Sequence, residues 1–181
     1  ILIFINLDFF MKTVKWGILG AAKIAKEQVI PAMQKSKKTE LYAIASRDIS
    51  KAEDFCHKFS ITKAYDDYNK LISDPNIDAV YIPLPNHLHV PFSINALKAG
   101  KHVLCEKPIS ITSDEILELI KVQNETKKIV SEAFMVRFHP QWIQTKKLIQ
   151  EGEIGKLNAI QGLFNYFNTD PNNIRNDVKI G

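Results

Sequence analysis

The sequence predicts a doubly wound α/β fold, a parallel sheet covered by helices on both faces, followed by the truncated start of an α+β domain. Three observations predict it. Six short apolar runs alternate with helical segments between Val14 and Phe134, and such alternation needs crossover connections and therefore parallel strands. The clearest of these runs is apolar throughout, as a strand buried on both faces is. After Arg137 the pattern changes to one helix and one long extended run with no helix behind it.

In order, Val14–Leu19 is the first strand, and Gly20–Ala25 leads into a helical segment interrupted near Pro31. Leu41–Ala45 is the second strand. Ser50 and Glu53 have the spacing of a capping box and open a helix through Phe55 and Phe59. A short strand at Lys63–Tyr65 precedes a small helix from Tyr68 to Ile72, which ends at the turn Asp74-Pro75-Asn76. Ala79–Ile82 is the fourth strand. His89-Val90-Pro91 starts a helix that Gly100 closes. His102 to Glu106 is the fifth strand. Thr112 and Glu115 form a second capping box, with Ile116, Leu119 and Ile120 as the buried stripe of the helix behind it. Ile129–Phe134 is the sixth strand. A helix from Pro140 to about Glu151, a turn at Gly152 and Gly155, and a strand from Lys156 to Phe167 complete the pattern. The expected organisation is residues 12–136 as one nucleotide-binding domain and 137–181 as the start of a second. Met11 is expected to be the initiator, with residues 1–10 an upstream extension.

Of the 181 residues, 45% are hydrophobic and 24% are charged, the balance of a globular protein. The net charge is +4, but the lysines are scattered in pairs and triplets such as Lys35, Lys37 and Lys38. No basic stripe with interleaved aromatics is present, which excludes nucleic acid as the expected partner. The apolar run at Ile1–Phe10 is too short to span a membrane and has no leader features. Cys56 and Cys105 are far apart and read as reduced thiols of a cytoplasmic protein, neither a disulfide nor a metal site.

The chemistry-bearing residues cluster at the carboxyl ends of the expected strands, where ligands bind in open parallel sheets. Gly20-Ala21-Ala22-Lys23-Ile24-Ala25 follows the dinucleotide fingerprint with Ala22 in place of its second glycine. The first glycine permits the tight turn, and Ala25 is small enough for close helix packing. At the end of the second strand, Ser46-Arg47 stands where an NAD site carries an acidic residue. Arg47 can pair with a 2′-phosphate, Ser46 can donate to it, and Lys51 adds a second positive charge one helical turn on. Asp48 opposes this unless its side chain turns away; the alternative is that Arg47 lies over an adenine. Pro83, Leu84, Pro85, Asn86, His87, Leu88 and His89 form a stiff loop after the fourth strand. His87 and His89 lack a third ligand at suitable spacing, so no metal is expected, and His89 reads as a helix-start residue or one bonded near a cofactor. Glu106-Lys107-Pro108 ends the fifth strand, and a lysine there is either solvated or at work on a substrate.

Taken together, Gly20 to Ala25, Ser46-Arg47, the loop from Pro83 to His89, Glu106-Lys107-Pro108 and the segment from Glu132 to Pro140 resemble the glucose-fructose oxidoreductase/inositol dehydrogenase/MocA-like family. Within it, the likeness is greatest to the branch of NADP-dependent xylose dehydrogenases and dihydrodiol dehydrogenases. The resemblance covers Val14 to about Phe167. It implies an NAD(P)-dependent dehydrogenase acting on a sugar, polyol or diol, with NADP favoured and NAD the alternative. Lys107 is then the catalytic lysine, with a cis bond to Pro108. Gly20, Ala22, Lys23, Ile24, Ser46, Arg47, Lys51, Pro83, Leu84, Asn86, His89, Glu106, Lys107 and Arg137 are the expected cofactor-binding residues. Arg137 either nears the nicotinamide or forms a structural ion pair. The acid-base partner is expected past Gly181, so the fragment itself is expected to bind cofactor without turnover, and the full-length parent to form a homo-oligomer. A non-catalytic NADP-binding sensor on the same scaffold is the rival reading, and a bare structural module is a second.

Overall fold

A computed structural model describes residues 13–167, 169, 170 and 173. Residues 1–12, where the initiator and upstream extension were expected, lie outside the described residues. Six strands form one sheet: β1 (Val14–Leu19), β2 (Thr39–Ala45), β3 (Lys63–Tyr65), β4 (Ala79–Ile82), β5 (His102–Cys105) and β6 (Val130–Glu132). All neighbours are parallel and the order is β3-β2-β1-β4-β5-β6. This is the doubly wound order in which strands are added outward in one direction from β1 and then in the other from β4, leaving a crevice at the carboxyl ends of β1 and β4.

Successive strand residues face opposite sides of a sheet, and here the two sides bury separate cores. Leu19, Ala43, Ala45, Val80 and Ile82 face α3 (Tyr68–Ile72), α4 (His89–Lys98) and α5 (Ser113–Thr126) through Leu71, Ile94, Leu97 and Leu119. Their neighbours Ile18, Ile44 and Tyr81 face α1 (Ile30–Gln34) and α2 (Ile49–Phe59) through Ile30, Ala52, Phe55 and Phe59. Gly17 is required by the first of these layers. A Cβ there would stand 2.5 Å from Leu71 Cδ2, inside contact distance.

Several boundaries differ from the sequence reading, each for a local reason. The interruption near Pro31 is a π-helical turn over Ala25–Val29, whose last carbonyl bond runs from Ile30 N–H to the Ala25 oxygen. Proline cannot donate the next helical bond, so the widened turn precedes it. The cap of α2 is Asp48, not Ser50. Its Oδ1 accepts from Ser50 N at 3.2 Å and from Ser50 Oγ at 2.6 Å, which leaves no capping box at Ser50. The box at Thr112 and Glu115 forms as expected. On α5 the buried stripe runs through Ile116, Leu119 and Val122, and Ile120 is exposed. Gly100, with φ +79°, closes α4.

The expected strand at residues 156–167 does not form. The segment is exposed along its length and pairs with no strand among the described residues. A strand without a partner has no ladder to hold it, whatever its composition. Ahead of it, α6 (Pro140–Gln150) buries none of its residues.

Candidate active site

Three strand ends build the site. At the end of β1, Gly20 takes φ +106°, a conformation that favours glycine, and donates its N–H to the Ala45 carbonyl at 2.8 Å. A Cβ on it would stand 3.0 Å from Leu84 Cδ2, so the turn lies hard against the loop after β4. Ala22, Lys23 and Ile24 follow, and Lys26 N–H closes on the Ala22 carbonyl at 3.1 Å to start the helical segment.

A cleft of about 460 Å³ opens beside this turn. Ala22, Lys23, Ile24 and Glu27 line it from the β1 side, Pro83, Leu84, Asn86 and His89 from the β4 side, and Glu106, Lys107 and Met135 from beyond β5. Nine of the residues singled out from the sequence therefore meet in one cavity. Glu27 and Met135 were not among them. Glu27 sits one turn along the helix from Lys23, with 3.9 Å between carboxylate and ammonium, and Met135 lies two residues before the arginine that had been singled out. Arg137 is exposed and lines neither this cleft nor the next.

The Lys107 turn is anchored at several points. The buried hydroxyl of Tyr81 donates to Glu106 Oε1 at 2.7 Å, and Lys107 N–H approaches Glu106 Oε2 at 3.4 Å. Burial first, and the Glu106 carboxylate second, push the Tyr81 hydroxyl well above the ordinary tyrosine range, which keeps it a donor. Ile109 N–H donates to Glu132 Oε1 at 3.0 Å. The Lys107–Pro108 bond is cis. Both ring nitrogens of His89 lie 2.7 Å from backbone carbonyl oxygens, those of Pro108 and Leu84. Tyr81 was read only as part of the fourth strand and not as a site residue, although the register could have found it. Tyr81 pairs with Leu104, so Glu106, two residues on, shares its face.

A second cleft, also about 460 Å³, lies across Lys23 and Glu27 from the first and reaches α2 through Lys51, Asp54, Phe55 and Lys58. Ser46 is buried at the end of β2; its N–H donates to the Tyr65 carbonyl at 3.0 Å and its Oγ accepts from Asp48 N–H at 3.3 Å. Arg47 is exposed and has no ion-pair partner among the described residues. Asp48 does turn into its own helix as the cap, with Oδ2 3.7 Å from Lys51 Nζ. Its hydrogen bonds from Ser50, aided by the nearby Lys51 charge, hold it below the usual carboxylate range.

Among the described residues, no group of three potential ligands could hold a metal ion, and no helix is long and apolar enough to cross a membrane. Cys56 and Cys105 are unpaired thiols, and burial pushes the Cys105 thiol up to about 12.

A dinucleotide fits this arrangement on three grounds: the strand order, the left-handed glycine pressed against the β4 loop, and a run of cavities from α2 to Lys107. Comparison with known proteins points the same way. Residues 14–134 match the profile GFO_IDH_MocA, described as an oxidoreductase family with an NAD-binding Rossmann fold. The chain is 47% identical over 171 residues to the oxidoreductase ORF334 of Rhizobium meliloti, covering 94% of this chain and 51% of that protein. It is 40% identical over 151 residues to D-xylose 1-dehydrogenase (NADP(+)) 2 of Haloferax volcanii, covering 83% and 46%. Among solved structures, KijD10, a 3-ketoreductase from Actinomadura kijaniata in complex with NADP and TDP-benzene, superposes with a TM-score of 0.74 at 36% identity over 78% of this chain and 43% of that one. The scyllo-inositol dehydrogenase of Lactobacillus casei gives a TM-score of 0.75 at 28% identity over 80% and 43%. The chain spans about half the length of the curated relatives it matches.

Proposed function

The chain belongs to the GFO_IDH_MocA oxidoreductase family, and from that premise we propose that the whole protein is an NADP-favouring oxidoreductase that interconverts a carbinol and a carbonyl on a sugar, polyol or diol. The observation that carries this reading is the meeting of Lys107 with Ala22, Lys23 and Ile24 in one cleft. A bound nicotinamide would supply the hydride chemistry at the substrate carbon. The chain's own residues do the rest. The turn from Gly20 to Ile24 receives the pyrophosphate, and Arg47 and Ser46, with Lys51, receive the 2′-phosphate. Pro83, Leu84, Asn86 and Glu106 bound the nicotinamide side. Lys107 places its ammonium against the reacting oxygen, holding it and assisting proton movement.

The cofactor preference rests on Arg47, which is exposed, and on Asp48, whose carboxylate is taken up by Ser50. Residues from 137 on belong, in this reading, to a second domain, with Arg137 contributing to the cofactor site only once that domain is in place. A cytoplasmic location and homo-oligomeric assembly of the whole protein are part of the same proposal.

Two measurements test it. Titration of the chain with NADPH and NADH, followed by reduced-nicotinamide fluorescence, is expected to favour NADPH, and Arg47→Asp to reverse the order; equal affinities would refute the assignment of Arg47. Turnover of the full-length protein on sugars and diols is expected to collapse in Lys107→Ala with NADPH binding retained. Normal turnover in that variant would remove the catalytic role, and a full-length protein that binds NADPH yet turns over nothing would be a sensor.

A further inference from the structure

His89 is the first residue of α4 and is 1% exposed. Its ring spans two separate walls of the cleft. Nε2 lies 2.7 Å from the carbonyl oxygen of Leu84, in the loop after β4, and Nδ1 lies 2.7 Å from that of Pro108, in the turn that carries Lys107. A carbonyl oxygen only accepts. A bare ring nitrogen at that distance would oppose one lone pair to another in a buried setting, where polar mismatches are least screened. Both contacts are favourable at once only when both ring nitrogens carry hydrogen. The charged groups sharing the cleft divide evenly: Glu27 and Glu106 favour such a ring, and Lys23 and Lys107 oppose it. The Tyr81 hydroxyl, on the neighbouring strand, is committed to Glu106. The start of a helix also opposes positive charge, so the two carbonyl contacts are what decide.

We propose that His89 is a positioning residue, a ring protonated on both nitrogens that clamps the Pro83–Leu88 loop to the Lys107–Pro108 turn. Other bonds also hold that turn, among them Tyr81 to Glu106, Ile109 to Glu132 and Glu106 N–H to the Ile82 carbonyl at 3.1 Å. The last of these ties the turn to the end of β4, and none of the three reaches the Pro83–Leu88 loop itself. The clamp makes the loop and Lys107 one wall, so that a cofactor fitted against Leu84 finds the ammonium already in register. The geometry of the clamp stands alone; its effect on cofactor rests on the function proposed above.

The test has two arms. The full chain, 15N-labelled in its five histidines, is examined near neutral pH by long-range proton–nitrogen correlation, with His89→Gln identifying the signal. A ring with both nitrogens protonated is expected, and a ring with one bare nitrogen overturns the proposal. In the second arm, NADPH affinity and unfolding temperature are measured for His89→Leu and His89→Gln. At a temperature where the variants are folded, His89→Leu is expected to weaken NADPH binding by about tenfold, one hydrogen bond's worth, with partial recovery in His89→Gln. A lowered unfolding temperature with unchanged affinity would reduce His89 to a structural role and overturn the positioning claim. Should His89→Leu fail to fold, His89→Gln and the spectrum decide. Should the unmodified chain bind no NADPH, the proposed function fails, while the nitrogen spectrum still decides the clamp.

Discussion

Tyr81 illustrates how a buried polar atom earns its place. Its ring fills the core facing α2, and its hydroxyl is spent on Glu106 at the mouth of the sheet. Tyr81→Phe strands a partly buried carboxylate oxygen, so denaturant unfolding is expected to show a loss of about 1–2 kcal/mol. Asp74 plays a comparable part on the far side of the fold. Tyr65, Lys63 and Asn76 all donate to its carboxylate, and the buried ammonium of Lys101 donates to the Asp74 and Ile77 carbonyls at 2.7 Å each. Burial alone would raise the Asp74 carboxyl; these hydrogen bonds outweigh it and hold the group well below the carboxylate range. A depressed carboxyl contributes stability above its unfolded value, near about 3.9, and loses that contribution as pH falls toward the folded value. The unmodified chain should therefore exceed Asp74→Asn by about 2 kcal/mol at pH 7, with the gap shrinking below about pH 4. Denaturant midpoints at the two pH values check this, and a gap that stays constant would contradict it.

At the scale of elements, the cap of α2 bears on the proposed preference for NADP. Asp48→Ala removes the cap and should lower the denaturant midpoint, whereas Asp48→Asn keeps a capping oxygen and removes a negative charge 3.7 Å from Lys51. NADPH is therefore expected to bind Asp48→Asn more tightly than the unmodified chain, a direction that titration can read. The two capping motifs also mark where local sequence suffices. Thr112 and Glu115 form the box their spacing announced, although Ser110 stands two residues ahead of Thr112. Two residues ahead of Ser50 stood Asp48, an equally good cap, and only the backbone decides between them. Ile120 was misplaced for a related reason, because a stripe through Ile116 and Leu119 continues equally well through residue 120 or residue 122 until α5 is laid on the sheet. Gly17 carries a close approach that no local pattern announces. Gly17→Ala would drive a methyl into Leu71, and a thermal or denaturant scan should show a loss of about 1–3 kcal/mol.

Over the whole molecule, the alternation of strand and helix was enough to anticipate the sheet, and the residues at strand ends were enough to anticipate most of the cleft. What stayed hidden were contacts between parts distant in sequence: Tyr81 with Glu106, His89 with Pro108, and Met135 in the wall that Arg137 was expected to occupy. Pairing is likewise non-local, which is why residues 156–167 looked like a strand by composition and remain without a ladder. Phe138, Leu163, Phe164 and Phe167 are all more than three-quarters exposed, a surface that favours association. Light scattering of the chain should show association growing with concentration and relieved by Leu163→Lys with Phe164→Lys. The central claim is that one dinucleotide lies along the cleft from the Gly20 turn to Lys107. Amide chemical-shift mapping of the 15N-labelled chain with NADP tests it most directly. Concerted shifts at Gly20, Lys23, Arg47, Glu106 and Lys107 are the predicted result; shifts confined to Gly20 and Lys23, with Glu106 and Lys107 unmoved at saturation, would contradict it.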